Sequence, residues 1–345
     1  MAHSYFRELL VGPNQLMATG YPSGNAVLWE AMIPTIASSE NEYIERIPNE
    51  EELYSAMMNL NSESALGRDG FPGSFYRDSW EVIKDDIIGV IQDFFRGGGL
   101  PRVPSATTLV LIPMIRNHSS LSQLYLVGMC NFPYKILASI INLRLSRFLP
   151  RWVSIEQHEF VKGRSIQGAI GRAQEMLRDI NNKTQGSNSE VKLDMNKAYD
   201  RMEWGFINRV LREMGFFIRA ADLMFRCFSS SWMAVSFMGR THGFFKASRG
   251  LRQGDPISPS IFILAQDTLS RLINKSVSSG GLLPFRRRWN LGSVSHLMFV
   301  DENLIFMNGG LRSVRGIKRV MEEYCYWRGK VVNNDKSNFF ISTKC

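Results

Sequence analysis

Apolar residues recur along the chain at two spacings, one typical of helices and one typical of short strands. Positions 82, 83, 87, 90, 91 and 94 follow helical spacing, and three consecutive glycines (97–99) end that segment. The segment TTLVLI (107–112) is short, apolar and rich in β-branched residues, as strands are. We predict helices beginning after Asn49 and spanning about 74–95, 134–148, 166–180, 203–215, 259–277 and 314–327, and strands at 107–112, 190–195 and 338–342.

Two further segments have the pattern of β-hairpins. The first (232–245) contains Gly239 as its turn, and the second (295–307) consists of HLMFV and NLIFM with Asp301 and Glu302 between them. Hairpins pair antiparallel, which favours an α+β fold over a doubly wound parallel sheet. Residues 1–44 are interrupted by glycine and proline, and we predict an irregular N-terminal lead-in there.

Composition and charge narrow the class of protein. A chain of 345 residues with 44% hydrophobic content can bury a sizeable core as one large or two modest domains. The formal net charge is +9, yet residues 40–63 contain seven glutamates and one arginine, so the rest of the chain carries all of the basic excess. Such a body suits a polyanionic partner. Charge alone does not separate that partner from a solvated basic surface.

The spacing of the cysteines and the hydropathy of the chain indicate the cellular compartment in which we expect the protein. The four cysteines are far apart and form no C-x-x-C pair, so neither a zinc site nor a disulfide framework is indicated. No apolar run approaches the roughly 20 residues that a membrane span requires. The N-terminus, MAHSYFRELL, lacks the layout of a signal peptide. We expect an intracellular protein without a membrane partner, and the sequence leaves its oligomeric state unknown.

Acidic side chains at strand ends are the candidate chemistry. Asp194 lies near the end of the strand predicted at 190–195, and Asp301 with Glu302 lies at the hairpin tip. If these strands are neighbours in one sheet, the carboxylates meet at one edge. Two divalent cations about 3.5–4 Å apart need such oxygen ligands, and they activate an attacking hydroxyl and stabilise a leaving group. Acidic hairpin tips are also common as solvated turns, so spacing alone leaves both interpretations open.

Eight sequence blocks occur in a fixed order around these residues. KLDMNKAYDRMEW (192–204), GLRQGDPISPSIFIL (250–264) and HLMFVDENLIF (296–306) resemble three successive palm motifs of reverse transcriptases of plant LINE-type (non-LTR) retrotransposons. The blocks that resemble its fingers and next palm motif are LGRDGFPGSFY (66–76), LVLIPM (109–114), CNFPYKILASIINLRL (130–145), EFVKGRSI (159–166) and GKVVNNDKSNFFIS (329–342). The resemblance covers about residues 45–342.

This resemblance implies a polymerase palm-and-fingers fold with an antiparallel palm sheet packed on helices. It divides the chain into the lead-in (1–44), a fingers region (45–190) and a palm region (191–345), with the thumb expected to be missing. The implied activity is that of an RNA-directed DNA polymerase, a nucleotidyltransferase. Its expected partners are an RNA template, a DNA primer and dNTPs, and its expected cofactor is Mg²⁺ (two ions, which Mn²⁺ can replace). A functional copy is expected in the nucleus.

The resemblance also assigns roles to individual residues. The assigned catalytic residues are Asp194, Asp301, Glu302 and Lys336, of which the three carboxylates bind metal, and the nucleotide-binding residues are Tyr199, Gln253, Gly254 and Arg164. Lys336 would protonate the pyrophosphate, and Tyr199 would crowd the sugar 2′ position. Each role has a plainer alternative: a solvated lysine for Lys336, a packed aromatic ring for Tyr199 and an unpaired surface arginine for Arg164.

Three positions depart from the pattern of the family. Glu302 replaces the second aspartate of F-A-D-D, which shifts the carboxylate by about 1 Å, and a misplacement of that size can cost roughly 10²-fold in rate. Met114 replaces the lysine of L-I-P-K, and Tyr125 replaces the arginine of Y-R-P-I-S, which is expected to contact the triphosphate. Two hypotheses stay open: an active polymerase, or an impaired remnant that at most binds RNA or DNA.

Overall fold

A computed structural model describes residues 2–11, 27–117, 119–182, 187–237, 239–287, 294–329, 332–333 and 335–342. The chain divides into two compact units, each built from three chain segments. The first unit comprises segments 1–20, 36–147 and 199–262, and the second comprises segments 21–35, 148–198 and 263–345. The predicted boundary between residues 190 and 191 lies inside one segment of the second unit. The predicted fingers and palm regions therefore divide the chain differently from the compact units, and that division stays a prediction.

The helices carry the end signals that local physical chemistry favours. The side chain of Asn49 accepts the backbone N–H of Glu52 at 3.0 Å, and Gly97 ends a long helix with a φ of 113°. Among the described residues, no helix is both long and apolar enough to span a membrane. The α-helices in the described part of the chain are α1 (Ala2–Leu10), α2 (Val27–Ala31), α3 (Ser38–Glu45), α4 (Glu50–Asn59), α5 (Gly73–Asp78), α6 (Trp80–Arg96), α7 (Arg102–Ser105), α8 (Phe132–Ser146), α9 (Leu149–Trp152), α10 (Ile166–Arg178), α11 (Trp204–Glu213), α12 (Ile218–Ser229), α13 (Ser258–Ser278) and α14 (Leu311–Arg328).

Some elements differ from the prediction. The helix predicted at 74–95 is divided into α5 and α6 at Ser79. The lead-in contains α1, α2 and most of α3, and α1 buries Phe6, Leu9 and Leu10, so its helical apolar spacing outweighs the nearby glycines and prolines. Residues 12–26 of the lead-in lie outside the described residues.

The first unit contains a mixed four-stranded sheet. The strands among the described residues are β1 (Ala106–Pro113), β2 (Leu124–Cys130), β3 (Asn188–Asp194), β4 (Trp232–Phe237), β5 (Arg240–Lys246), β6 (His296–Phe299), β7 (Glu302–Asn308) and β8 (Asn338–Ile341). The order in the first unit is β2-β1-β4-β5, in which β1 runs parallel to β4 and the other neighbours run antiparallel. Gly239, with a φ of 72°, lies between β4 and β5 as predicted.

The second unit contains a fully antiparallel sheet. Its order is β6-β7-β3-β8, so β3 is flanked by strands that lie more than a hundred residues further along the chain. Met176 of α10 is buried in one cluster with Leu297 and Phe306 of the sheet and with Phe285 and Ile180. The predicted α+β fold, with an antiparallel palm sheet packed on helices, is confirmed.

Candidate active site

The end of the second sheet brings candidate carboxylates together. In the antiparallel register of β3 and β7, Asp194 lies directly opposite Glu302. Because β6 ends at Phe299 and β7 begins at Glu302, Val300 and Asp301 form the two-residue loop of the hairpin. Asp301 therefore precedes the residue paired with Asp194. Side chains of directly opposed residues are near neighbours, as the sequence pattern predicted for this edge.

The backbone of this hairpin tip is strained and held from inside the unit. Val300 has a φ of 51°, a left-handed conformation that is rare for a β-branched residue and costs about 1–3 kcal/mol. The buried amide of Asn303 donates to the carbonyl oxygen of Asp301 at 3.2 Å. Gln266 of α13 in turn donates to Asn303 at 2.9 Å, and Tyr324 of α14 donates to Gln266 at 2.9 Å. This buried chain of hydrogen bonds fixes the position of Asp301.

Asp194 is held by the segment that precedes β8. The side-chain amide of Asn333 donates to Oδ1 of Asp194 at 3.2 Å. The backbone N–H of Asp194 donates to Oγ of Ser337 at 3.1 Å. Lys336 belongs to the same segment, its N–H donates to the carbonyl of Asn333 at 3.2 Å, and its side chain is exposed. The structure thus places Lys336 in a short turn whose neighbours contact Asp194. Sequence reasoning missed Asn333 and Ser337, although both lie in the block GKVVNNDKSN.

Glu302 has a basic neighbour on the same face of the sheet. Nζ of Lys192 lies 3.1 Å from its carboxylate, and both side chains are partly exposed. Lys192 precedes Asp194 by two residues on β3, so the two side chains share one face of the strand. The alternation of the strand KLD was the sequence signal for this contact, which the prediction did not use.

These carboxylates suit a metal ion whose coordination shell is completed by water and by the substrate. Among the described residues, no group of three acidic, histidine or cysteine side chains is arranged to hold a metal ion. Mg²⁺ in phosphate-transfer sites takes one or two carboxylates together with water and substrate phosphates, and does not use a closed protein cage. Asp194 and the Asp301–Glu302 tip fit that smaller set of oxygen donors.

Arg164 lies in the second unit, where its guanidinium donates hydrogen bonds to the backbone of the segment before it. Its NH1 donates to the carbonyls of Ser154 and Gln157 at 2.5 and 2.7 Å, and its NH2 donates to those of Pro150 and Val153 at 2.9 and 3.2 Å. The alternative of an unpaired surface arginine is therefore wrong. The four hydrogens of the two terminal nitrogens are all engaged by backbone, so phosphate contact through these two nitrogens, which stays a prediction, requires these bonds to break.

Gln253 and Gly254 lie in a loop of the first unit that runs against β2. The carbonyl oxygen of Gln253 accepts the N–H of Gly128 at 2.8 Å. Gly254 has a φ of 91°, which strains any residue with a side chain, and a Cβ there would lie only 3.0 Å from the carbonyl oxygen of Gly128, so glycine is favoured on both counts. The backbone at Gly254 thus lies close to strand β2. The binding of a nucleotide by this loop stays a prediction.

A buried ionic network brackets the same loop. Arg252 and Asp255 form an ion pair at 2.6 Å, and both side chains are almost fully buried. Tyr134 of α8 donates to Asp255 at 2.7 Å, and burial raises its pKa well above the usual range, so it stays a neutral donor. The prediction did not assign roles to these three residues, although Arg252 and Asp255 stand inside the motif RQGDP.

Tyr199 is stacked in the first unit. Its ring lies face to face with that of Phe262, with centroids 4.2 Å apart and 4° between the planes, and it is partly exposed. Its carbonyl oxygen accepts the N–H of Leu251 at 2.9 Å. The alternative of a packed aromatic ring describes its contacts, and selection at the sugar 2′ position stays a prediction.

The two positions without the expected cations lie at the end of the β1–β2 hairpin. Tyr125 is paired with Ile112, and the N–H of Met114 donates to the carbonyl of Gln123 at 2.9 Å. Both side chains are exposed, Met114 by 36% and Tyr125 by 44%. An apolar and a phenolic side chain therefore occupy accessible positions where charge was expected.

Comparison with known proteins identifies the family. The sequence profile described as reverse transcriptase (RNA-dependent DNA polymerase) matches residues 115–345, about two thirds of the chain. The chain belongs to the reverse transcriptase family. The curated relatives of this reverse transcriptase chain include the Transposon TX1 uncharacterized 149 kDa protein of Xenopus laevis, 24% identical over 80% of the chain. Another is the retrovirus-related Pol polyprotein from type-1 retrotransposable element R2 of Popillia japonica, 24% identical over 42%.

These relatives are much longer than the chain. The reverse transcriptase chain spans 21% of the Xenopus protein and 23% of the Popillia protein. A solved structure of apo telomerase from Candida tropicalis, truncated from its C-terminal domain, covers 82% of this chain, which covers 59% of it, with 13% identity and a TM-score of 0.49. The predicted reverse transcriptase domain of LINE-type retrotransposon origin is confirmed, and its plant origin stays a prediction.

Proposed function

We propose that the chain is an RNA-directed DNA polymerase domain that adds dNTPs to the 3′-hydroxyl of a DNA primer on an RNA template. The observation that carries the proposal is the register of the second sheet, in which Asp194 faces Glu302 beside Asp301. Reverse transcriptases generally depend on divalent metal and bind a template and a primer. RNA template, DNA primer, dNTPs and a nuclear location are parts of this proposal.

Each residue of the tip has a distinct part in this proposal. Asp194 and Asp301 supply the carboxylates for two Mg²⁺ ions, and Glu302 assists as a third oxygen donor. Bound Mg²⁺ would neutralise phosphate charge and lower the pKa of the attacking hydroxyl. Lys336, exposed beside the segment that holds Asp194, would donate the proton that the pyrophosphate takes up.

The remaining assignments extend the proposal to the first unit. Tyr199 excludes the ribose 2′-hydroxyl, while Gln253 and Gly254 contact the incoming nucleotide and template. Arg164 would contact phosphate through its two terminal nitrogens only after release from its carbonyl partners. The fingers region (45–190) and palm region (191–345) are proposed as functional regions of one reverse transcriptase domain over about residues 45–342.

Primer extension on poly(rA)/oligo(dT), in Mg²⁺ and then in Mn²⁺, tests the proposal. We expect extension by the unmodified chain and a fall of about 10³-fold in Asp194→Asn, because a preorganised charge at the reacting phosphate is lost. Glu190→Gln is the matched control, since it removes a carboxylate from the same strand about 13 Å away at 3.3 Å per residue. Absence of extension in both metals would refute the polymerase and leave the impaired remnant.

A further inference from the structure

Helix α14 has an order of charges that opposes helix stability. Its first half contains four basic residues and no acidic one, whereas its acidic residues lie in the second half. The positive end of the helix dipole is at the N-terminus, so cations there are unfavourable. Basic side chains three or four residues apart also repel each other. The basic residues are Arg312, Arg315, Lys318 and Arg319, and the acidic ones are Glu322 and Glu323.

The rotation of α14 leaves these basic side chains on the exposed face. Ile317, Tyr324 and Trp327 of the opposite face are buried. Oγ of Ser313 accepts the N–H of Leu283 at 3.1 Å, which fixes the first turn. Gly316 packs so closely that a Cβ there would collide with the carbonyl oxygen of Gly281. The basic side chains therefore remain in solvent because the helix cannot turn them inward.

The fold makes little use of these charges. Lys318 and Glu322 form an ion pair at 3.7 Å with both side chains largely exposed, a kind of pair that contributes about 0–1 kcal/mol. Within the part of the chain that the structure describes, Arg312, Arg315 and Arg319 form no ion pair with a carboxylate. Among the described residues, the three arginines thus weaken α14 without a carboxylate partner, and Lys318 has only an exposed one, which is typical of residues kept for a ligand.

We propose that the basic face of α14, defined by Arg312, Arg315, Lys318 and Arg319, binds the phosphate backbone of nucleic acid. The proposal rests on the proposed function for the class of partner, and it adds a contact surface apart from the acidic tip. At 1.5 Å per residue, Arg312 and Arg319 are about 10.5 Å apart along the helix. One strand of a duplex carries a phosphate about every 3.4 Å of its axis, so three arginines face about three phosphates.

The chemistry of this face favours a polynucleotide over a membrane. A helix that lies on a membrane inserts an exposed apolar face between lipids, whereas the apolar face of α14 is buried in the core of its unit. Guanidinium groups also match phosphate with two parallel hydrogen bonds, which makes an arginine row suited to a sugar–phosphate backbone.

Binding of labelled RNA by fluorescence anisotropy tests the proposal. We compare the unmodified chain with two triple variants that each lose three positive charges from the second unit. The variant of the basic face is Arg312→Gln, Arg315→Gln, Arg319→Gln, and the control is Lys162→Gln, Arg172→Gln, Arg178→Gln, all at exposed positions. We expect the first to weaken binding about tenfold or more and to reduce the slope of log K against log salt by about 2. The control should change affinity by less than about twofold, because its side chains lie off this face.

The other outcomes each overturn the proposal. Equal losses in both variants would mean that net charge alone governs binding, and no loss in either would mean that the face makes no contact. Stronger competition by polyglutamate or by anionic vesicles than by RNA or duplex DNA would assign the face to another class of partner. Duplex DNA and RNA are measured in parallel to distinguish the two nucleic acids.

Stability and extension assays separate this proposal from the proposed function. We expect the melting temperature of the basic-face variant to be unchanged or higher, since repulsion within α14 is relieved; a fall of several degrees would mean that the fold needs these charges. Asp194→Asn should keep RNA affinity while losing extension. If the chain binds RNA through α14 but extends no primer, the proposed polymerase activity is refuted and the proposed nucleic-acid binding by the basic face is retained.

Discussion

Two acidic sites of the molecule, one in each unit, use their carboxylates in opposite ways. In the first unit, Asp255 is fully buried and neutralised by Arg252 at 2.6 Å, so its carboxylate serves the fold. In the second unit, Glu302 is about half exposed and Asp301 lies in a hairpin loop at the end of the sheet. A buried pair has no capacity for a further cation, whereas accessible carboxylates retain it. Asp194, the partner of this tip across the strands, is itself buried at 8% exposure but is bonded to an amide and, among the described residues, not paired with a cation, so the ionic partner, more than burial, separates it from Asp255.

Removing the charge of the buried Asp255 should have the largest effect on stability. Asp255→Asn keeps the shape of the side chain but leaves Arg252 as an uncompensated buried charge, so we expect a loss of about 3–5 kcal/mol in the free energy of unfolding. Urea unfolding followed by circular dichroism measures it. Asp301→Asn is the control and should change stability by no more than about 0.5 kcal/mol. Similar losses in both variants would abolish the distinction between the two acids.

The pH dependence of stability tests the effect of burial on a titratable side chain of the second unit. Burial lowers the pKa of His296 on β6 from 6.5 to about 3, and the serines Ser270 and Ser295 lie within 2.6 and 2.8 Å of its ring nitrogens. The unfolded chain binds a proton at this residue between these two pKa values while the folded chain does not. We therefore expect stability to fall by about 1.4 kcal/mol per pH unit as pH drops from 6.5 toward 3.

Urea unfolding between pH 4.5 and 7.5 checks this dependence. His296→Gln should remove most of the slope, and His242→Gln, which replaces an imidazole at an exposed position of β5, is measured beside it as the control. An unchanged slope in His296→Gln would mean that other groups govern the acid side of stability.

A gain of activity tests the exposed side of the contrast. Glu302→Asp restores the aspartate of the family pattern opposite Asp194 and moves the carboxylate back by about 1 Å, for which we expect about 10- to 10²-fold faster primer extension. The shorter side chain also loosens the pair with Lys192, which frees oxygen for metal. Steady-state extension rates measure the effect, with Glu322→Asp on α14 as the control. A slower Glu302→Asp variant would show that the tip is built around glutamate.

The smallest expected effect concerns backbone strain at the same tip. Val300→Asn places a residue that tolerates a φ of 51° where a β-branched residue is strained, so we expect about 1 kcal/mol more stability. Val300→Ile retains the β-branch and should bring no gain. Equal unfolding midpoints for all three proteins would indicate that the loop relaxes without cost.

Local sequence patterns predicted most helices and several strands of the molecule. Helical apolar spacing gave the segments that became α6, α8, α10 and α13, and the turn residue Gly239 gave the β4–β5 hairpin. The same patterns missed β2, whose residues LYLVGMC include a glycine, and missed α1 among nearby glycines and prolines. Tertiary contacts stabilise both elements. Strand β2 is paired with β1, and α1 buries Phe6.

Ordered motifs and local periodicity are properties of the chain alone, and they were enough to predict the family, the α+β class and the identity of the candidate carboxylates. Folding was needed to place Asp194 opposite Glu302, to bring Lys192 to this carboxylate and to bond Arg164 to the carbonyls of its own loop. The physical reason is that these contacts depend on strand register and loop closure between residues far apart in the chain. Spacing along a sequence does not record which strands become neighbours.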